Sequence, residues 1–213
     1  MSKRFVATVI CGACAVAALT SCGNSKAGGT GEFATVYASA ATPGADLSSD
    51  VATWVDATGV KAPACAAGSF PSVLPDSASY TITSTAYTVP NTGSSTPIVS
   101  SDLTVDKITL TLTPATSATP ALPGAFETQY PTAGQRIPAG SITTVPVVIA
   151  TDQLKTFLRT GLGSQSLDCS NQGTMYTYRA VVSFEALEVN TNRVATITPP
   201  GFILVNFADF VDK

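Results

Sequence analysis

The stretch Met175–Val189, MYTYRAVVSFEALEV, alternates along its length. Tyr176, Tyr178, Ala180, Val182 and Phe184 share one side of an extended chain, and Thr177, Arg179, Ser183 and Glu185 mostly share the other. A period of two belongs to a β-strand with one buried face; a helix would scatter the same residues around its circumference. The segment Thr104–Thr113, TVDKITLTLT, repeats the pattern, with Ile108, Leu110 and Leu112 opposite Lys107, Thr109, Thr111 and Thr113. Each strand therefore needs an apolar partner layer, and Met175–Val189 is the best candidate for a central strand.

Weaker runs at Ala34–Ala38, Val51–Val55, Tyr80–Thr88, Ile142–Ala150 and Phe202–Phe207 bring the total to about seven strands, which is what a sandwich requires. Pro146 interrupts one of them and predicts an edge or bulged strand there, because proline cannot donate to a sheet ladder. Pro, Gly, Ser and Thr clusters connect the runs, the longest at Pro90–Ser101 and Pro114–Gly140. One helix is expected after Ala150: Thr151 caps it, Asp152 suits its positive end, Leu154, Phe157 and Leu158 form its apolar stripe, and Gly161 ends it. The predicted fold class is all-β, a two-sheet antiparallel sandwich with one short helix as a crossover on its flank. In this general way the body resembles immunoglobulin or fibronectin III sandwiches. Trp54 precedes Cys65 instead of lying between paired cysteines, so the likeness is one of architecture.

The front of the chain carries an address. Lys3 and Arg4 precede an apolar run from Phe5 to Leu19, fifteen residues long, followed by Thr20, Ser21 and Cys22. A charged start, an apolar centre and small residues before a cut site make an export signal. The run is short of the roughly 20 residues that span a bilayer. Leu19-Thr20-Ser21-Cys22 resembles the lipobox of bacterial lipoproteins. That resemblance implies a diacylglyceryl group on the Cys22 sulfur, cleavage just before it and acylation of the new amino group. Several acyl chains hold a protein to a membrane stably where a single one does not. Gly23 in place of an aspartate favours the outer membrane under the enterobacterial sorting rule. The expected organisation is a signal over residues 1–21, a lipidated start with a glycine-rich linker over 22–31, and one sandwich domain over 32–213.

The five cysteines then divide. Cys11 and Cys14 leave with the signal, Cys22 takes lipid, and Cys65 and Cys169 remain to form a disulfide in an oxidising compartment. The mature chain of 192 residues holds nine basic and fourteen acidic side chains, and without a basic cluster it gives nucleic acid no footprint.

The absence of histidine removes Ser-His-Asp and Cys-His nucleophiles and His-containing zinc sites. Ser100, Ser101 and Lys107 lack the Ser-x-x-Lys spacing of a dyad, and Gly161-Leu162-Gly163 follows a helix where a phosphate loop would precede one. Asp50 with Asp56, Asp102 with Asp106, and Glu185 with Glu188 could pair as glycosidase acids only if the fold set them about 5–10 Å apart across a cleft. No calcium-loop pattern is present either. Tyr176, Tyr178 and Phe184 read as core by their shared face. Phe126 and Tyr130 differ: they lie in a long Pro-rich segment, where a partner would be sought, as it would in Pro90–Ser101.

The reading is a lipid-anchored envelope β-sandwich, a structural or protein/glycan interaction module without catalysis, cofactor or metal. The alternatives are a carboxylate-dependent hydrolase or carbohydrate-active enzyme, or a periplasmic small-molecule binder. Replacing Cys22 by alanine should abolish incorporation of labelled palmitate and move the protein from the membrane to the soluble fraction; an unchanged membrane fraction would show that the anchor lies elsewhere.

Overall fold

A computed structural model describes residues 31–87, 99–169, 171 and 173–209. The signal, the lipobox with Cys22, most of the linker and residues 90–98 lie outside them. The chain runs β1 (Gly31–Glu32), β2 (Val36–Ala41), β3 (Leu47–Asp50), β4 (Thr53–Val55), β5 (Phe70–Ser72), β6 (Asp76–Ala86) and β7 (Leu103–Pro114). It continues through the single turn α1 (Gly124–Glu127), β8 (Thr128–Gln129), β9 (Arg136–Ile137), β10 (Ile142–Ala150) and α2 (Asp152–Thr160). Last come β11 (Met175–Glu188), β12 (Arg193–Ile197) and β13 (Ile203–Ala208).

The fold is an all-β sandwich. One sheet has the order β1-β2-β6-β10 and the other β3-β13-β11-β7-β8, with β12 added to β11 and β9 to β7. β11 is central: β7 pairs along one side of it, and β13 and β12 share the other. Its inward residues Tyr176, Tyr178, Ala180, Val182 and Phe184 are all buried, as are Ile108, Leu110 and Leu112 on β7. Opposite them stand Val36 and Ala38 of β2, Tyr80 and Ile82 of β6, and Val145, Val147 and Ile149 of β10, in one continuous core. Tyr80 meets Phe184 edge-on across the two sheets at 5.6 Å between ring centroids, a geometry that sets a ring edge against a ring face. Burial pushes the Tyr80 hydroxyl up to about 12.

Three features depart from simple alternation. Leu103 and Val105 face inward as odd residues and Ile108, Leu110 and Leu112 as even ones, because Glu185 pairs with Lys107 and Ala186 with Val105, leaving Asp106 as a bulge. β3 joins β13 in parallel, so the second sheet is mixed where the alternation predicts antiparallel pairing throughout. The chain leaves β2 in the first sheet and reaches the far edge of the second, where it runs alongside the last strand. β4 and β5 form a small separate pair, and Trp54 of β4 donates its indole N–H to Asp209 at 3.2 Å instead of joining the inter-sheet core.

Gly31, grouped with the linker by composition, belongs to β1. Gly31 pairs with Ala38 within β1 and is buried; a Cβ there would meet Phe33 at 2.7 Å and Ile197 at 2.9 Å, so the glycine is a packing requirement.

Pro146 sits where its missing N–H does no harm. β10 pairs with β6 alone, and the Ser84 N–H donates to the Ser141 carbonyl. Counting along the antiparallel ladder, odd residues of β10 bond to β6 while even ones, Pro146 among them, turn their backbone to the free edge. α2 follows directly: the Thr151 hydroxyl accepts from the Leu154 N–H at 3.1 Å, Asp152 opens the first turn, and Gly161 closes the helix. Leu154 and Leu158 are buried and Phe157 packs against the core. Lys155 is buried as well, and its ammonium lies 2.7 Å from Asp76 at the start of β6, joining the crossover helix to the first sheet.

Cys65 and Cys169 are disulfide-bonded, with α-carbons 5.6 Å apart. The bond ties the loop after β4 to the connection between α2 and β11 across a sequence separation of 104. Replacing both cysteines by alanine should lower unfolding stability by about 4 to 5 kcal/mol in the chain-entropy model. Denaturant titration of the double variant against the oxidised and reduced wild type checks this; a loss confined to a few tenths would mean the loop is already held in the unfolded chain.

Candidate functional site

The Pro114–Gly140 segment is an ordered excursion. Its middle folds back on the free edge of β7: Thr128 and Gln129 pair with Thr111 and Leu110, and Arg136 and Ile137 pair with Thr104 and Leu103. Between these pairs the Gly134 N–H donates to the Val105 carbonyl at 2.7 Å, with Gly134 at φ 109°, a conformation that favours glycine. The excursion covers an edge that would otherwise expose unpaired backbone groups.

Phe126 and Tyr130 sit in this segment with different jobs. Phe126 packs on Phe157 of α2 at 5.1 Å between centroids and is half-buried, so it anchors the excursion. Tyr130 is 65% exposed, with the Lys107 ammonium 5.0 Å from its ring centroid, close enough for a cation–π contact. Gln129 donates to the Phe126 carbonyl at 3.0 Å and fixes the short chain between the two rings.

The excursion and the free edge of β10 leave a cleft between them. One trough of about 330 Å³ runs past Phe126, Gln129, Tyr130 and Gln153, and a second of about 500 Å³ runs past Gln135 and Pro146. They meet at Val148, which lines both. Neither is lined by a charged residue. Both fall in the size range of small-molecule sites.

The acids considered as pairs are committed elsewhere. Glu185 is exposed on the outer face of β11, while Glu188, three residues on, points inward and is fully buried. The Glu188 carboxylate accepts from the Ala34 N–H at 2.9 Å and the Thr35 N–H at 2.8 Å, and from the Thr35 hydroxyl at 2.5 Å and the Thr191 hydroxyl. Burial pushes this carboxyl up, but the hydrogen bonds from Thr191, Thr35 and the two amides outweigh it and hold the group below the usual carboxylate value. Asp102 accepts from the Ala139 N–H at 2.9 Å and pairs with the Arg136 guanidinium; these bonds, the backbone one foremost, lower its pKa, while Asp106 is the exposed bulge residue. Asp56 caps its own turn through Thr58 and the Val60 N–H, which lowers it too. Asp50 accepts from the Ala52 N–H at 3.4 Å.

The remaining sequence candidates are structural. Ser101 is buried and its hydroxyl accepts from the Asn190 N–H at 2.9 Å, while Lys107 lies against Tyr130, so no serine–lysine dyad forms. Tyr176 and Tyr178 donate to the carbonyls of Gln165 and Pro120, with burial raising both hydroxyls. Among the described residues no group of three His, Cys, Asp or Glu side chains gathers to hold a metal. Glu188 is the site that pairing by sequence proximity misses. The alternation of β11, extended by two more inward positions, reaches it.

Comparison of the chain with protein-family models, with curated proteins and with solved structures finds no match.

Glu188→Gln keeps the shape but withdraws the charge that four donors surround. It should destabilise the fold by about 1–3 kcal/mol near neutral pH. Because the folded pKa is depressed, the carboxylate stabilises the fold above its unfolded pKa and loses that contribution as pH falls through the folded value. The wild type should therefore lose stability below about pH 5 more steeply than the variant. Denaturant titrations across that window check it; parallel pH profiles would exclude a charged clamp.

Proposed function

We propose that the chain is a lipid-anchored module of the bacterial envelope that binds a partner through the cleft between β10 and the Phe126–Gln135 excursion, without catalysis. The observation that carries this reading is the uncharged double trough mounted on a disulfide-tied sandwich. A binding surface needs side chains held in place before the partner arrives, because ordering them on association costs affinity. Phe126 against Phe157, Gln129 on the Phe126 carbonyl and the β8 and β9 pairings supply that order. Hydrolysis by paired carboxylates would need two acids facing one cavity, and neither trough has an acid in its lining.

Anchoring adds to binding. A tether between acylated Cys22 and β1 would confine the domain to a thin layer at the membrane and raise its effective concentration toward anything fixed in the same layer.

Affinity capture of the acylated protein from detergent-solubilised envelope should retain the same component on repeated isolation, and Tyr130→Ala should release it. An empty capture under conditions that preserve other envelope complexes would overturn the module reading.

A further inference from the structure

We infer that the cleft's ligand is a neutral glycan chain, an inference that rests on the interaction-module reading and names its ligand class. The chemistry of the lining selects it. Gln153 offers a side-chain carbonyl to accept and an amide to donate, and Gln129 and Gln135, whose amides already donate to the Phe126 and Arg136 carbonyls, keep a carbonyl and one further N–H, which together match sugar hydroxyls that both donate and accept. Tyr130 supplies a largely exposed ring on which the C–H face of a pyranose can rest, and Lys107 holds that ring from one side. Phe126 and Pro146 add apolar wall.

The two other ligand chemistries fare worse. A charged polymer entering the troughs would shed water without meeting an opposite charge in either lining, Lys107 lying outside both and already engaged with the Tyr130 ring. A peptide laid along β10 as an added strand would meet Pro146 in the middle of the free edge, where the missing N–H removes a ladder bond. A glycan makes no backbone ladder, so the proline costs it nothing. Two troughs that meet at Val148 and open to solvent suit a chain of sugars better than one enclosed unit.

The test is saturation-transfer difference NMR on the full acylated chain, in a detergent without a sugar head group. The probes are maltohexaose, cellohexaose and chitohexaose, with hexagalacturonate as the acidic counterpart. At least one neutral hexaose should receive saturation on its ring protons. Tyr130→Ala should weaken that binding by about tenfold or more while leaving the melting temperature unchanged, and Tyr130→Phe, which keeps the ring, should bind nearly as the wild type does. Gln153→Ala is a second variant, on the exposed face of α2 and outside the excursion, and it should weaken binding without touching Tyr130. Failure of every neutral hexaose, equal binding of hexagalacturonate, or indifference to Tyr130→Ala and Gln153→Ala would overturn the glycan assignment. If envelope capture retains a protein that Tyr130→Ala releases while all hexaoses fail, the glycan falls and the anchored module stands.

Discussion

The inner face of β11 governs the sandwich. Seven alternate residues from Tyr176 to Glu188 point into the molecule and all are buried, so this strand meets the opposing sheet over nearly its whole length. Six are apolar or aromatic and gain by leaving water, by about 25 cal/mol for each Å² of apolar surface. The seventh is a carboxylate at the strand's end, and it is tolerable only because four donors surround it. The two amides among them come from Ala34 and Thr35, the turn between β1 and β2. The strand that organises the core thus also holds the place where the chain enters the domain.

That arrangement has mechanical sense if the amino terminus carries an anchor. Load on a tether would reach the fold at β1, whose own pairing with β2 is only two residues long. Glu188 supports the turn just behind it from the opposite sheet, and the Thr35 hydroxyl, which donates to Glu188, also accepts from the Ser101 N–H at 2.9 Å. Entry strand, β7 and β11 are therefore joined at one end of the sandwich by groups that reach one another only in the folded state. Charge-assisted hydrogen bonds of this kind are about twice as strong as neutral ones.

What the sequence made legible follows from the range of the forces involved. The faces of β7 and β11, the cap at Thr151, the stop at Gly161 and the edge position of Pro146 are local consequences of side-chain period and backbone chemistry, and each stands where its residues indicate. The bulge at Asp106 was not read, because simple alternation over Thr104–Thr113 passes over the change of phase between Val105 and Ile108. The parallel pairing of β3 was not either, because Leu-Ser-Ser-Asp has no strong period and its partner is more than 150 residues away. Lys155 reads as the polar face of a helix until Asp76 is seen beside it. Phe126 and Tyr130 were found by loop length and aromatic character alone, which could not separate the anchor from the exposed ring. The cleft has no linear signature, since its walls are β10 and a segment that precedes it and folds back onto β7.

The cleft is a by-product of how both sheets close their edges. The edge of β7 is covered by the excursion, and the edge of β10 is blunted by a proline. Two sheets that ended flush would meet with their apolar layers sealed; here the covering segment stands away from β10 and leaves a gap whose floor reaches the buried Ile108 and Val145. Water or a ligand must fill it. The linings carry amides, hydroxyls and one exposed ring and include no charged residue, with Lys107 outside them against the Tyr130 ring, so hydrogen bonding and shape outweigh charge in what the cleft can select. Binding by those means tolerates salt better than binding by surface charge, because there is no charge pair for salt to screen.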